Sequence, residues 1–264
     1  MPNLPKNTPR VLVMRAPGTN CDHETAFAFE LAGAKAITHT LLEVRQSPNI
    51  LRDYQILVMP GGFSYGDDAG AGALWAAELR HFLADELRTF RDRGNLILGI
   101  CNGFQALVRT GLLVPPDEDG PLVSLTRNTS GRYIDRWVHL AVHPGHCKFL
   151  QGLDHLHLPM AHGEGRFVTR ENWQLDGLDQ SGQLVLRYAT PSGNVAEQDD
   201  AANNPNGSSG SVAALTDATG QVLGIMPHPE RHVLPTQHPH WTRLGLAEKP
   251  DGLRIFENAV KSLA

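Results

Sequence analysis

The sequence predicts a single α/β domain with a mostly parallel sheet flanked by helices and an added antiparallel hairpin region in its second half. Short apolar runs alternate with helical patterns through residues 11–110, the order typical of parallel strands joined by crossover helices. The second half contains separate strand-like runs, two of which flank the turn signal Asp217-Ala218-Thr219-Gly220. No internal repeat or low-complexity linker divides the chain, so one domain over residues 11–264 is the simplest account.

The first half of the chain reads as four strand–helix units. Pro48 after Ser47 suits a helix start, Asn20 or Asp22 can cap the first helix, and Gly33 and Gly94 suit helix ends. We expect strands at residues 11–14, 36–42 and 55–59 and helices at residues 21–32, from residue 48 and at about residues 74–93. A further strand precedes Cys101, and a helix follows it and ends at Thr110-Gly111.

The second half is richer in strand and loop patterns. Residues 115–121 form a loop, and the polar, Gly- and Asn-rich residues 194–210 suit a long surface loop. The chain closes with a helix near residues 251–263 whose apolar stripe suits core packing. Separate strands are expected at residues 137–142, 166–169, 184–188, 211–216 and 221–226.

Composition excludes several classes of function. The net charge of -5 and the absence of a basic stripe argue against nucleic acid as a partner. No apolar run approaches the length of a membrane span. Three widely spaced cysteines suit a reducing cytoplasm. Residues 1–10 contain three prolines and no apolar core, so we expect a disordered or extended lead-in and no signal peptide.

The most informative stretch surrounds Cys101, where an apolar run leads into Gly99-Ile100-Cys101-Asn102-Gly103 and then into a helical pattern. The same arrangement with serine is the nucleophile elbow of strand–turn–helix hydrolases. A thiolate at a helix N-terminus is favoured by the helix dipole and by free N–H groups. Cys101 is therefore a candidate nucleophile, although a buried structural cysteine explains this stretch alone equally well.

A catalytic cysteine needs a base and a group that orients the base. His228 follows a predicted strand, and Pro229 fixes the backbone between it and Glu230, so this carboxylate can hold the imidazole. A surface loop with an unrelated histidine is the alternative. His228 and His232 also have the spacing of a zinc pair. However, Pro229 disfavours that geometry, and residues 143–147 and 238–240 read as exposed turns, so we expect no metal site.

Consecutive glycines after the third strand offer backbone N–H groups to an oxyanion. Gly61, Gly62 and Phe63, together with the N–H group of Asn102, would build such a site, although Gly-Gly is also common in ordinary turns. Asp67 in the same loop reads as solvated, as does its neighbour Asp68.

Two other cysteines compete with Cys101. Cys21 lies at a predicted helix start but lacks flanking glycines, and the neighbouring Asp22 would disfavour a thiolate, so a structural role is expected. Cys147 lies in a turn and has no pattern of partners.

Residues 99–105 (GICNGFQ) and 227–230 (PHPE) resemble the motifs of class I (triad) glutamine amidotransferases. Further stretches are similar to the glutaminase subunits of phosphoribosylformylglycinamidine synthases, enzymes of purine biosynthesis. Each stretch is weak alone, but the set is specific and runs in family order from residue 11 to about 232. These stretches are residues 17–22 (PGTNCD), 61–67 (GGFSYGD), 127–132 (RNTSGR), 162–167 (HGEGRF), 204–208 (NPNGS) and 226–231 (MPHPER).

The resemblance implies that Cys101, His228 and Glu230 form the triad and that Gln105 and the Gly62–Phe63 turn line a glutamine pocket. It implies a large synthetase subunit as partner, with a small accessory subunit as a further candidate. No Walker-type Gly-x-x-x-x-Gly-Lys-Ser/Thr occurs in the sequence, so ATP and Mg²⁺ are expected on the synthetase and no cofactor on this chain.

The sequence departs from the family pattern at positions that would affect how the chain docks on its synthetase, whereas the three triad residues are present. The family follows Gly-Asp with an aromatic-Leu-Arg run, whereas this chain has Asp68-Ala69-Gly70-Ala71-Gly72. Residues 115–121, 194–203 and 233–249 are long for a small stand-alone subunit. Two alternatives remain: the glutaminase part of another amidotransferase, and a catalytically silent regulatory subunit of the same fold.

Overall fold

The computed structural model describes residues 8–263 and contains a nine-stranded sheet and a separate two-stranded sheet. In chain order the strands are β1 (Arg10–Arg15), β2 (Lys35–Thr40), β3 (Ile56–Met59), β4 (Leu96–Ile100), β5 (Val123–Arg127), β6 (Ile134–Val142), β7 (His155–His162), β8 (Glu164–Thr169), β9 (Leu186–Ala189), β10 (Val212–Thr216) and β11 (Val222–Ile225).

Helices join these strands and cover the large sheet. In chain order they are α1 (Asp22–Leu31), α2 (Leu41–Gln46), α3 (Ala73–Phe82), α4 (Ala84–Asp92), α5 (Asn102–Thr110), α6 (Asn172–Gln180), α7 (Trp241–Leu244) and α8 (Asp251–Lys261). Short 3₁₀ turns occur at Pro48–Asp53, Ser64–Asp67, Ser209–Ser211, Pro229–Arg231 and Pro235–Gln237.

The large sheet has the strand order β2-β1-β3-β4-β11-β10-β9-β6-β7. The five strands from β2 to β11 are parallel, and the remaining four extend the sheet in antiparallel fashion. This confirms the predicted fold class. Because the carboxyl ends of parallel strands meet at one edge, the segments after β3, β4 and β11 converge there.

The core lies on both faces of β1, β3, β4 and β11, whose apolar residues are almost fully buried. On one face α1 packs against α8, with the Phe29 and Phe256 rings 4.8 Å apart and edge to face. On the other face α3 packs against α5. Strands buried on both sides read as continuous apolar runs, which is why β1, β3 and β4 were visible in the sequence.

Two predicted boundaries are wrong. The helix expected at residues 74–93 is divided at Leu83 (φ -134°, ψ 12°), whose side chain is fully buried, and Asp85 with Glu86 gives α4 an acidic first turn. The strand expected at residues 36–42 ends at Thr40. Thr40 and Glu43 form a capping box that starts α2, so the chain turns helical two residues earlier.

The sequence reading missed β5, β7 and α6. β7 has an alternating pattern, His155-Leu156-His157-Leu158, and its leucines are buried while its histidines are half-buried. That period of two is a strand signal.

The expected surface loop at residues 194–210 is only partly at the surface. Asn204, Asn206 and Ser208 are buried, and their side chains satisfy backbone groups in the interior. Asn206 Nδ2 donates to the carbonyl of Gly165 (2.9 Å), and Ser208 Oγ accepts from the Phe167 N–H group (3.0 Å). The polar composition wrongly indicated exposure. These polar side chains are buried because they supply the hydrogen bonds that backbone groups in a loop do not receive from a regular helix or strand.

The predicted lead-in is only partly testable, because residues 1–7 lie outside the described residues and β1 already includes Arg10. Between residues 8 and 263, no helix has both the length and the apolar character needed to cross a bilayer.

Candidate active site

Cys101 occupies the turn between β4 and α5. Its φ of 49° and ψ of -103° are unusual for a residue with a side chain, and such strain is typical of a nucleophile elbow. Its backbone N–H group donates to the carbonyl of Ile225 (2.7 Å), and its own carbonyl accepts from the N–H group of Gln105 (2.9 Å). The predicted elbow is thereby confirmed as a structure.

Gly99 and Gly103 serve close packing, because neither has a positive φ. A Cβ at Gly99 would lie 2.8 Å from the carbonyl oxygen of Gly103. A Cβ at Gly103 would lie 1.9 Å from the carbonyl oxygen of Met59, far inside van der Waals contact. The two glycines therefore let α5 start directly against β3 and β4, which brings the N-terminus of α5 to Cys101.

His228 and Glu230 meet beyond the end of β11. His228 Nδ1 lies 2.6 Å from Glu230 Oε1, and both side chains are almost completely buried. The 3₁₀ turn Pro229–Arg231 holds the two residues in this relation. The N–H group of His228 also donates to the carbonyl of Pro159 on β7 (2.7 Å), so two strands position the imidazole.

The other ring nitrogen of His228 is available to Cys101. Nε2 is buried and has no hydrogen-bond partner within residues 8–263. Burial alone lowers the pKa of His228, but the charges of Glu230 and Cys101 outweigh it and hold this pKa well above its usual value. The raised pKa favours the imidazolium form of His228, which can stabilise a thiolate and donate a proton.

Glu230→Gln is expected to lower kcat by about 10⁴-fold, the scale seen when an orienting carboxylate becomes an amide. Removing the carboxylate charge also lowers the pKa of His228, so the imidazolium is lost at lower pH. The alkaline limb of the kcat/KM profile should therefore move to lower pH. A pH profile from 5 to 10 checks this, and an unmoved alkaline limb would contradict the role of Glu230.

The loop after β3 approaches the elbow but offers fewer N–H groups than predicted. Gly62 has a φ of 142°, and a Cβ there would lie 2.8 Å from the backbone nitrogen of Asn20. The N–H group of Phe63 donates to the carbonyl of Gly18 (3.1 Å), so this predicted donor is already occupied. The N–H groups of Gly62 and Asn102 remain the candidate oxyanion donors.

The side chains of Asn102 and Gln105 bind within the protein. Asn102 Oδ1 accepts from the N–H group of Ser64 (2.9 Å), and its Nδ2 donates to Asp67 Oδ1 (2.9 Å) and to Gln105 Oε1 (3.0 Å). Gln105 Nε2 donates to the carbonyl of Glu164. Asn102 therefore ties the loop after β3 to α5, and Gln105 ties α5 to β8. Asp67, expected to be solvated, is half-buried in this network, and burial raises its pKa.

Comparison with known proteins agrees with this geometry. Residues 8–262 match the sequence profile of the CobB/CobQ-like glutamine amidotransferase domain. The chain belongs to this amidotransferase family. A relative from Dehalococcoides mccartyi, phosphoribosylformylglycinamidine synthase subunit PurQ, is 46% identical over 259 residues, covering 96% of each chain. The PurQ subunit of Methanococcus maripaludis is 40% identical over 268 residues, covering 97% of this chain and 98% of the relative.

Solved structures agree with the fold of the amidotransferase. A chain in the structure of PurLQS from Thermotoga maritima superposes with a TM-score of 0.74 at 32% identity, covering 97% of this chain and 100% of that one. A putative GMP synthase subunit from Thermoplasma acidophilum has a TM-score of 0.56 at 13% identity, with 97% and 94% coverage. The latter likeness shows the fold alone.

The structure adds residues to the amidotransferase site that sequence reasoning missed. His162 is buried and pairs through Nδ1 with Asn128 Oδ1 (3.1 Å); burial and the charge of His228 lower its pKa to about 3. Tyr133 is exposed and stacks on the predicted site residue Phe63, with ring centroids 6.5 Å apart. Burial, followed by the charge of Cys101, raises the pKa of Tyr133. The family-like stretches contain His162 and Asn128, whereas no feature of the sequence indicated Tyr133.

Cys21 lies unexpectedly close to His228 and Glu230, and the structural role predicted for it stays a prediction. Its sulfur accepts from Arg231 Nη2 (3.2 Å), and the donor atoms of Cys21, His228 and Glu230 lie within 4.8 Å of one another. These three could in principle hold a metal. However, the guanidinium of Arg231 also lies 3.9 Å from Glu230, and His228 Nδ1 is bound to that carboxylate, so a cation is disfavoured.

The amidotransferase does not pair His228 with His232 as a zinc site. His232 Nδ1 points to the carbonyl of His157 (3.0 Å), and its ring packs on Trp137, whereas His228 faces Glu230. The turn at residues 238–240, expected to be exposed, is exposed only in part. His238 is half-buried against Trp137 and His157.

Proposed function

We propose that this chain hydrolyses the side-chain amide of glutamine and supplies ammonia to a synthetase that makes formylglycinamidine ribonucleotide in de novo purine biosynthesis. The proposal rests on the strained Cys101 and on the buried His228–Glu230 pair, in which the charge of Cys101 helps to raise the pKa of His228. The relatives named as PurQ subunits support the choice of synthetase over other amidotransferases. The same geometry disfavours a silent regulatory subunit, which needs no charged pair buried at this depth.

The first half of the reaction forms a thioester. The Cys101 thiolate attacks the side-chain amide carbon of glutamine, and the N–H groups of Gly62 and Asn102 hold the oxyanion that develops. The imidazolium of His228 gives its Nε2 proton to the departing nitrogen, so ammonia leaves as the C–N bond breaks. A γ-glutamyl thioester on Cys101 and a neutral His228 remain.

The second half releases glutamate. Neutral His228 takes a proton from water, the hydroxide attacks the thioester carbon, and the C–S bond breaks to restore the Cys101 thiolate. Glu230 holds the imidazole in one tautomer throughout and stabilises its positive charge whenever it forms. The Asn102 side chain holds the loop after β3 through Ser64 and Asp67, and Gln105 Oε1 accepts from Asn102 Nδ2 and fixes that amide.

We assign the ATP-dependent step to the synthetase partner, with ATP and Mg²⁺ bound there. The structure of PurLQS from Thermotoga maritima contains a similar chain and supports a complex with a large subunit. It is also compatible with an additional accessory subunit. A cytoplasmic location fits this proposal, since Cys21, Cys101 and Cys147 are all free thiols.

The isolated chain is expected to release ammonia slowly and the complex to release it at the full rate, because the partner would complete the glutamine site. Coupled detection of ammonia and glutamate, with and without the large synthetase subunit and its nucleotide substrates, measures this. Full activity of the chain alone would contradict dependence on the partner. Stimulation by a different amidotransferase synthetase, and none by this one, would contradict the pathway.

A further inference from the structure

A second group of histidines lies on the β6–β7 hairpin, separate from the triad. His139 on β6 is directly opposite His157 on β7, and His155 is two residues before His157, so all three share one face. The chain after β11 folds back over this face with two more. The histidine cluster consists of His139, His155, His157, His232 and His238.

His157 is the centre of the histidine cluster. The His139 ring stacks on it with centroids 4.1 Å apart and an interplanar angle of 10°. On another side, His157 Nδ1 lies 3.0 Å from His238 Nε2. Trp137 packs against His157, His232 and His238, with centroid distances of 5.2, 4.9 and 4.7 Å. The rings are therefore held by packing as well as by polar contacts.

The hydrogen bonds define which nitrogens carry lone pairs. The N–H group of His240 donates to His238 Nδ1 (3.1 Å), so neutral His238 carries its proton on Nε2 and donates it to His157 Nδ1. His232 Nδ1 donates to the carbonyl of His157 (3.0 Å), which leaves His232 Nε2 as a free lone pair. A backbone carbonyl that orients one imidazole nitrogen is the usual second contact of a metal-binding histidine.

A cavity of about 260 Å³ opens beside these nitrogens. Its walls include His157, His232, His238 and the carboxylate of Asp251. Asp251 Oδ2 accepts from the N–H group of His157 (2.8 Å), which places this acid beside the same strand. Burial and the neighbouring histidines lower the pKa of His157 to about 3, and burial lowers the pKa of His232 and of His238. These imidazoles are uncharged at neutral pH.

Two further nitrogens in the histidine cluster lack partners. Within residues 8–263, His139 Nδ1 and His155 Nε2 are buried without a hydrogen bond, and their rings are 5.1 Å apart. Buried imidazole nitrogens are rarely left unpaired in proteins, so such atoms call for a water or an ion. The histidine cluster therefore contains buried ring nitrogens for which residues 8–263 supply no hydrogen-bond partner.

We propose that the histidine cluster binds one borderline divalent metal ion, Zn²⁺ in the first instance, through His157 Nδ1 and His238 Nε2. Nitrogens on a tetrahedral Zn²⁺ at bond lengths of 2.0–2.1 Å are about 3.3 Å apart, so the present pair needs to separate by only a few tenths of an ångström. Among residues 8–263 no third donor converges with these two nitrogens, so His232 Nε2 or Asp251 completes the site by rotation into the cavity.

A metal ion bound there would fix the long segment of residues 233–249 against β7. Metal binding replaces the His238–His157 hydrogen bond with two coordinate bonds, and the proton of His238 moves from Nε2 to Nδ1, so His238 stays neutral and no net proton is released. The proton on Nδ1 breaks the exposed hydrogen bond from the N–H group of His240, a small loss. Nothing in this proposal involves Cys101, so it stands apart from the proposed glutaminase.

Titration of the full chain with Zn²⁺ by calorimetry tests the proposal, with one equivalent expected. His157→Asn and His238→Asn should each weaken binding at least about tenfold, while His23→Asn, an exposed histidine on α1, should leave it unchanged. Absence of binding by the wild-type chain, or full affinity in the His157 and His238 variants, would overturn the proposal.

Binding of Co²⁺ in place of Zn²⁺ by the unmodified chain provides a test that does not depend on the folding of any variant. Imidazole and carboxylate ligands give visible d–d bands without a sulfur-to-metal charge-transfer band. A charge-transfer band, or loss of binding in Cys21→Ser and Cys101→Ser, would place the metal at the thiols beside His228 and refute the histidine cluster as its site.

Discussion

Replacing Cys101 with alanine is expected to reduce ammonia release from glutamine by 10⁴-fold or more, as is typical when a covalent nucleophile is removed. Without the sulfur no thioester forms, and the remaining N–H groups can only polarise the bound amide. Stopped assays of ammonia and glutamate in the complex with the synthetase measure the loss. Activity within tenfold of wild type would refute the triad, whatever the likeness to known relatives.

The loss should be catalytic and not structural. Alanine is smaller than cysteine, and both residues experience the same positive φ at this turn, so the urea midpoint should change little. Cys147→Ala is the matched control, because Cys147 is completely buried and burial raises the pKa of its thiol to about 12. This variant should keep its activity and lose about 1 kcal/mol of stability to a small cavity.

Covalent trapping separates the two cysteines near His228. A glutamine-analogue electrophile should label Cys101 and leave Cys21 unmodified, because the Cys21 sulfur is buried and already accepts from Arg231. Peptide mapping after labelling identifies the modified thiol. Labelling of Cys21 in the wild-type chain would exchange the roles assigned to these residues.

The parts of the site that are local in sequence were predictable. The Gly-x-Cys-x-Gly spacing predicted the elbow, and the Pro between His228 and Glu230 predicted a carboxylate within reach of the imidazole. The role of the two glycines was not predictable, because the backbone strain lies at Cys101 while Gly99 and Gly103 permit close packing. The backbone torsion angles of the turn depend on the residues that pack around it, and a single sequence does not show which residues these are.

Contacts between distant segments were not predictable. Asp67 looked solvated because its loop is rich in glycine, yet it meets Asn102 across 35 positions. The closeness of Cys21 to His228 depends on two strands ending at the same edge, and the histidine cluster depends on β7, which the sequence reading missed. Composition and spacing carry no direct record of such tertiary contacts.

Gly103→Ala is expected to have the largest effect on stability, at least about 3 kcal/mol and enough to unfold a marginal domain. Alanine is the better helix former by about 1 kcal/mol, so propensity alone predicts stabilisation of α5. The added Cβ would lie 1.9 Å from Met59 oxygen and 2.6 Å from its carbonyl carbon. Both are backbone atoms of β3, so no rotamer change relieves the clash.

Gly177→Ala in α6 separates these two contributions, since its added Cβ would meet no atom within 4 Å. Propensity then acts alone, and this variant should gain about 0.5–1 kcal/mol. Urea midpoints of both variants measure the difference, and a stable Gly103→Ala would contradict close packing at the elbow. If a fraction of Gly103→Ala folds, α5 must have moved away from β3. That shift carries the N–H group of Asn102 away from the oxyanion, so the folded fraction should also be slow.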